Sequence, residues 1–109
     1  MELAFSTKSL RELCESEINA RKGLGNRVAA KLKSRLADFR SATSIKDVAA
    51  CKFYELDGER EQHMAVDLCD GFRLVICPNN RIVPLTKSGQ VNWAAVSRIK
   101  IVGVENDEN

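Results

Sequence analysis

The chain is poor in the residue types that build metal centres and membrane spans. It has one histidine, His63, and four cysteines without a C-x-x-C pair, which argues against zinc because structural zinc needs closely spaced Cys and His ligands. No apolar run approaches the ~20 residues that cross a bilayer. The start, MELAFSTKSLRELCES, lacks the basic residues and apolar block of a secretory signal. These absences predict a cytoplasmic protein with reduced cysteines, no metal and no membrane partner.

Length and composition predict one soluble domain spanning residues 1–109, since 44% of the chain is hydrophobic. The net charge of +2 conceals an asymmetry. Residues 1–52 carry eleven Lys/Arg and six Asp/Glu, whereas residues 53–109 carry six and nine. The basic half is a candidate polyanion-binding surface, although ordinary solvated helices give the same pattern.

The apolar periodicity predicts the order β-α-α-β-β-β-β, an α+β fold in which two N-terminal helices pack on a small, mostly antiparallel sheet. A strand over Glu2–Ser6 precedes a first helix that Ser6 or Thr7 can cap and whose apolar stripe extends to Ile18. Asn26 is expected to cap the second helix, residues 26–41. The Pro- and Asn-rich segment 78–90 is expected to be a loop, with RIVPL at most an edge strand.

The second predicted helix carries a row of cations at i, i+4 and i+8, namely Arg27, Lys31 and Arg35, with Lys33 elsewhere on its surface. In the helix itself only Asp38 opposes them in sign. Like charges at this spacing destabilise a helix by a few tenths of a kcal/mol per pair. The row is therefore either a solvated surface or the binding surface for an anion.

The segment HMAVDLCDGFRLVIC predicts a β-hairpin. A three-residue loop, Cys69-Asp70-Gly71, keeps the apolar residues of both strands on one face by pairing Leu68 with Phe72, Val66 with Leu74 and Met64 with Ile76. The other face then carries His63, Asp67 and Arg73, with Asp67 opposite Arg73. The residues alone leave two interpretations of Arg73: a cross-strand ion pair or a functional charge.

The longer segment FYELDGEREQHMAVDLCDGFRLVI resembles the core of the RelE/ParE superfamily of bacterial toxins, and most closely its HigB-like branch. The shared pattern is Leu56-x-Gly58-x-Arg60, then an alternating strand, a turn with Asp70, and the pair Phe72-Arg73. ELAFSTKSLRELC and VNWAAVSRIKIVGVE look like the same branch. The resemblance implies a RelE-like toxin of a type II toxin-antitoxin system that cuts messenger RNA on the ribosome. It further implies 2′-hydroxyl attack without metal or other cofactor, and neutralisation by a HigA-like helix-turn-helix antitoxin.

By position, the resemblance implies that Arg73 and Arg60 bind and stabilise the reacting phosphate. The cations of the second helix, Arg27, Lys31, Arg35 and Lys33, would contact ribosomal RNA.

The chain departs from the family where proton transfer is expected. It has Tyr54 where relatives often have a histidine, Asp57 in place of a basic residue, and Asp107 and Glu108 in place of a final Tyr-His pair. Tyr54 and His63 are the remaining candidates for catalytic proton transfer. The alternative is a non-nucleolytic protein on the same scaffold, either a ParE-like gyrase poison or a degenerate toxin that binds only its antitoxin.

Overall fold

A computed structural model describes residues 1–48, 52–56, 58 and 62–106, which form three helices and a five-stranded sheet. The elements are β1 (Glu2–Phe5), α1 (Lys8–Glu15), α2 (Glu17–Leu24), α3 (Asn26–Ser41), β2 (Phe53–Glu55), β3 (Met64–Asp67), β4 (Phe72–Pro78) and β5 (Arg98–Asn106). The predicted α+β class is confirmed. None of the helices in these ranges is long and apolar enough to cross a membrane.

The sheet has the strand order β1-β5-β4-β3-β2. β1 runs parallel to β5, and the other three neighbouring pairs are antiparallel, so the prediction of a mostly antiparallel sheet is confirmed. Most of the segment between β4 and β5 lies outside the sheet, and the RIVPL stretch contributes one isolated bridge, between Leu85 and Val91.

The first predicted helix is two helices in the structure. Thr7 caps α1 as expected, with its Oγ1 accepting from the Leu10 amide at 3.0 Å. Ser16 then ends α1 and starts α2, because its Oγ accepts from the Asn19 amide at 3.2 Å. The bend turns Ile18 outward with 63% of its surface exposed, so the prediction that Ile18 continues the buried stripe is wrong.

The expected cap of the next helix is also different. Gly25, with φ 86°, occupies the N-cap position of α3, and no side chain caps this helix. Asn26 is instead the first helical residue. A glycine tolerates this positive φ without steric penalty, so it can redirect the chain from α2 into α3.

The core lies between α3 and the sheet. α3 buries one stripe, formed by Val28, Leu32, Leu36 and Phe39. These side chains belong to one cluster with sheet residues that include Val66, Leu74, Ile76, Ile99 and Ile101. Near the C-terminal end of α3, Phe39 lies against Phe53 of β2 with ring centroids 5.9 Å apart.

The hairpin has the register that the sequence predicts. Val66 pairs with Leu74 and Asp67 with Arg73, and the Leu68 amide donates to the Phe72 carbonyl at 2.9 Å. The turn places both Asp70 (φ 54°) and Gly71 (φ 81°) in the left-handed region. The even-numbered residues of β4 therefore point to the helices. Arg73 and Val75 point to the opposite face, called here the open face.

A β-bulge breaks the alternation of β5. Val75 pairs with Gly103 and Ile76 with Ile101, which leaves Val102 as an extra residue. Gly103 therefore does not share a face with Ile101, as it would in an unbroken strand. Val104, opposite Leu74, joins the core side, and Glu105 falls on the open face directly opposite Arg73.

Two isoleucine truncations should distinguish a buried core position from an exposed position on α2. Ile76→Ala removes a side chain with 0% exposure and should lower the free energy of unfolding by about 2–5 kcal/mol. Ile18→Ala, at a largely exposed position, should change it by no more than about 0.5 kcal/mol. Urea unfolding followed by the fluorescence of the single tryptophan measures both. Equal losses in the two variants would contradict this packing.

Candidate functional site

Arg73 lies near the middle of the open face, with one carboxylate on each side. In register, Asp67 of β3 and Glu105 of β5 are its two cross-strand neighbours. Its Nη2 is 3.3 Å from Glu105 Oε1, and the two side chains are 21% and 34% exposed. The predicted neighbour Asp67 is in place, but the ion pair is made with Glu105.

Tyr54 extends this row of side chains to β2. It stands on β2 opposite Ala65, and its hydroxyl donates to Asp67 Oδ1 at 3.1 Å. A hydrogen bond between the same hydroxyl and Arg73 is the main reason why the pKa of Arg73 lies above its ordinary value, and Glu105 adds to this effect. Tyr54, Asp67, Arg73 and Glu105, called here the Arg73 network, thus link four neighbouring strands.

The environment of Tyr54 decides its protonation. Burial is the main factor that raises the pKa of its hydroxyl, the Asp67 carboxylate raises it further, and Arg73 acts in the opposite direction. A phenol whose pKa lies above the ordinary ~10 is protonated at neutral pH. Tyr54 can therefore donate a proton or a hydrogen bond, but it is not a base at that pH.

The open face is less exposed to solvent than the alternation of polar residues predicts. Next to the Arg73 network, Ala65 and Val75 pair across the sheet, and both are fully buried. Arg73 Nε is also buried and has no hydrogen-bond partner. Charges beside such an apolar floor interact more strongly than charges in water.

His63 lies at the opposite end of β3 from the Asp67–Arg73 pair. His63 directly precedes β3, where its carbonyl accepts from the Leu56 amide at 3.0 Å. Four residues of extended chain separate it from Asp67, a distance of roughly 13 Å between Cα atoms. The candidate Arg60, with Asp57, Asp107 and Glu108, lies outside the described residues.

The four candidate cations lie on α3, on the other side of the sheet, and three of them have carboxylate partners among the described residues. Lys33 pairs with Glu17 of α2, and Arg27 Nη1 lies 3.4 Å from Asp70 Oδ1 in the hairpin turn. Arg35 is only 12% exposed and lies 3.0 Å from Asp38 Oδ2. Arg27 and Lys33 therefore have compensating carboxylates on other elements, which the charges of the helix alone do not reveal. Lys31 lies partly exposed between Arg27 and Arg35 on the helix.

A scan against protein-family models matches none of them, and a search of curated proteins finds no match either. Among solved structures, the fold is similar to that of a YoeB/ParE toxin from Agrobacterium tumefaciens, with a TM-score of 0.55. The match covers 97% of this chain and 98% of that chain at 16% sequence identity. The chain has a toxin fold. At this identity the likeness concerns the fold alone.

Two cavities of this fold lie away from the Arg73 network. A cavity of about 390 Å³ lies at the β2 edge, lined by residues that include Leu56, Gln62 and Trp93. A second, of about 580 Å³, lies between α3 and the two preceding helices. Arg73 lines neither of them. The side chain of Arg73 is 21% exposed, so part of it can be reached from solvent.

Because Tyr54 is the chain's one tyrosine, its ionisation can be followed alone by absorbance near 295 nm. We expect a midpoint above the ordinary ~10, a lower midpoint in Asp67→Asn and a higher one in Arg73→Gln, from the directions of the two interactions. Since the folded state raises this pKa, the stabilising contribution is complete below the unfolded pKa and disappears as pH rises through the folded value. A midpoint at or below 10 in the wild type would contradict the network.

Proposed function

We propose that this protein is the toxin of a type II toxin-antitoxin system and cuts messenger RNA on the ribosome, as a HigB-like member of the RelE/ParE superfamily. The observation that carries the proposal is the position of Arg73. Its permanent charge sits on the open face of a central strand, in a chain with a toxin fold. A guanidinium presents paired N–H donors that match the oxygens of a phosphodiester.

The proposed reaction is attack of a ribose 2′-hydroxyl on the adjacent phosphate. It forms a cyclic phosphate and expels the 5′-oxygen, so it needs a base, a cation for the developing charge and an acid for the leaving oxygen. Arg73, together with Arg60, takes the cationic role. Tyr54 is the acid in this scheme, since its raised pKa keeps it protonated beside Arg73. The proton of the 2′-hydroxyl passes to His63 if the bound RNA extends along the sheet to the start of β3, and otherwise to a solvent water.

The proposed partners follow from the charge distribution. Ribosomal RNA would contact the exposed basic surface of α3, in which Arg27 and Lys33 point outward and Arg35 is the least accessible member. Such contacts are made mainly to the phosphate backbone. A HigA-like helix-turn-helix antitoxin in the same cytoplasm would neutralise the toxin.

A second candidate is a non-nucleolytic toxin, such as a ParE-like gyrase poison, or a degenerate toxin that retains only antitoxin binding. The observation in its favour is the negative charge around Arg73, where two carboxylates flank one guanidinium.

Induction in bacteria, followed by mapping of transcript 5′ ends, tests the proposed reaction. The wild type should produce new ends within translated codons, and Arg73→Gln should reduce them by about 10²–10³-fold, the usual loss when one preorganised transition-state contact is removed. Arg98→Gln is the matched control, because Arg98 is exposed on the same sheet and pairs with Glu2 at 2.8 Å.

Intact transcripts together with gyrase-linked DNA breaks would reject the endonuclease in favour of a gyrase poison. Neither effect, together with tight antitoxin binding, would indicate a degenerate toxin.

The role of α3 can be tested through the salt dependence of ribosome binding. If Lys31 contacts an RNA phosphate, Lys31→Gln should weaken binding and make the slope of log K against log salt shallower by roughly 0.7–0.9. Lys87→Gln, in the exposed loop between β4 and β5, is the control for a change in net charge. Identical slopes in the two variants would show that α3 does not contact ribosomal RNA.

A further inference from the structure

The open face carries a second cation, Lys100 of β5. Lys100 stands opposite Cys77 of β4 and next to Ala4 of β1, so both of its cross-strand neighbours have short side chains. It is partly exposed. Among the residues that the structure describes, no carboxylate forms an ion pair with Lys100. In this respect it differs from Arg73 on the same face, which pairs with Glu105.

The neighbouring thiol does not balance the charge of Lys100 either. Burial raises the pKa of Cys77, and the Lys100 ammonium lies near enough to act in the opposite direction. Because the net shift is upward from an ordinary value that is already alkaline, the thiol is uncharged at neutral pH. A partly buried ammonium in such surroundings attracts an anion more strongly than an ammonium in bulk water does.

The β-bulge at Val102 places Lys100 on the face that carries Arg73, because it shifts Ile101 into the pairing with Ile76 and Lys100 into the pairing with Cys77. Arg73 and Cys77 are four residues apart on β4, a distance of roughly 13 Å between Cα atoms. The cross-strand row between them has no charged side chain, since it consists of Ala65, Val75 and Gly103. The two cations therefore stand in separate rows of one face.

We propose that Lys100 is a second phosphate ligand of the open face and binds a different phosphate of the RNA strand from the one that Arg73 binds. This inference rests on the proposed role of Arg73 as a phosphate ligand. The separation of the two rows carries it, because one phosphate cannot contact both cations, whereas two phosphates of a single strand can follow a surface of this kind. Once Arg73 holds one phosphate, the second contact is made within the same complex, so affinity should depend on strand length.

Binding of short RNA strands tests the second ligand. The probe is a fluorescently labelled hexa-uridylate whose 2′-O-methyl groups prevent attack on its phosphates, and its affinity is measured by anisotropy over a range of salt concentrations. Lys100→Gln should weaken binding about tenfold at low salt, the usual effect of losing one hydrogen bond to a charged group. It should also make the slope of log K against log salt shallower by roughly 0.7.

Two variants are the controls for this loss. Lys100→Arg keeps the charge and should retain the wild-type slope. Lys87→Gln removes a charge from the exposed loop between β4 and β5 and should match the wild type in affinity. An unchanged affinity in Lys100→Gln, or an equal loss in Lys87→Gln, would overturn the proposal.

A dinucleotide with the same methyl groups has a single phosphodiester, so it can occupy only one of the two positions. Its binding is followed at the Arg73 Nε–Hε signal of ¹⁵N-labelled protein, assigned with Arg73→Gln. Lys100→Gln should leave this titration unchanged. An equal loss for the dinucleotide and the hexanucleotide would place Lys100 at the same phosphate as Arg73 and overturn the arrangement of two phosphates.

A parallel cleavage assay on ribosomes separates this inference from the proposed function. A loss in Lys100→Gln that is confined to the hexanucleotide, together with no cleavage by the wild type, supports the second ligand and rejects the endonuclease. Cleavage by the wild type without any loss of hexanucleotide binding in Lys100→Gln supports the endonuclease and rejects the second ligand. If Lys100→Gln weakens hexanucleotide binding and Arg73→Gln does not, the two cations do not share one strand, and the inference is overturned.

Discussion

The double-sided pairing of β4 is the constraint on which both the core and the site depend. Antiparallel ladders with β3 and β5 hold this strand in one register. In that register Leu74 and Ile76 are fully buried beneath α3, and Arg73 between β3 and β5 must point to the open face. A slip of one residue would carry Leu74 out of the core and Arg73 into it. The burial of the apolar residues thus fixes the guanidinium.

The chemistry around Arg73 depends on a second, less regular feature. The extra residue Val102 shifts the alternation of β5, so that Ile101 stays in the core while Glu105 reaches the open face. In an unbroken strand, Ile101 and Glu105 would share a face, and Arg73 would lack its ion-pair partner. A backbone irregularity in one strand therefore sets the charge of the site in the next strand.

Local patterns were sufficient to predict the hairpin, because the parity of Leu68 and Phe72 and the Asp70-Gly71 turn together specify its register. They did not reveal the partner of Arg73, since Glu105 lies 32 residues away and its face depends on the bulge. Gly103 was the available signal, because glycine within a strand often marks a bulge. Likewise, a serine followed by an acidic residue, as at Ser16-Glu17, is a helix-start signal within the first predicted helix.

The charges of α3 show why the sequence of a helix, read by itself, underestimates how many of its cations have carboxylate partners. The helix itself offers only Asp38, but folding brings Glu17 of α2 to Lys33 and Asp70 of the hairpin to Arg27. Such exposed pairs contribute at most about 1 kcal/mol each, so an RNA phosphate can replace them. The paired state lowers the repulsion among these cations, and the proposed contact with RNA would exchange one anionic partner for another.

Folding also brings together a group that can take part in proton transfer. Comparison by position suggests that acid and base groups are absent, because histidines are replaced. The Arg73 network nevertheless holds a protonated phenol in contact with both a carboxylate and the guanidinium. A phenol of raised pKa is a weak acid, and general-acid catalysis loses efficiency as the pKa moves above the working pH. Arg73 counteracts this loss, since it lowers the pKa of Tyr54. In the proposed reaction, then, Arg73 assists the leaving group as well as the phosphate.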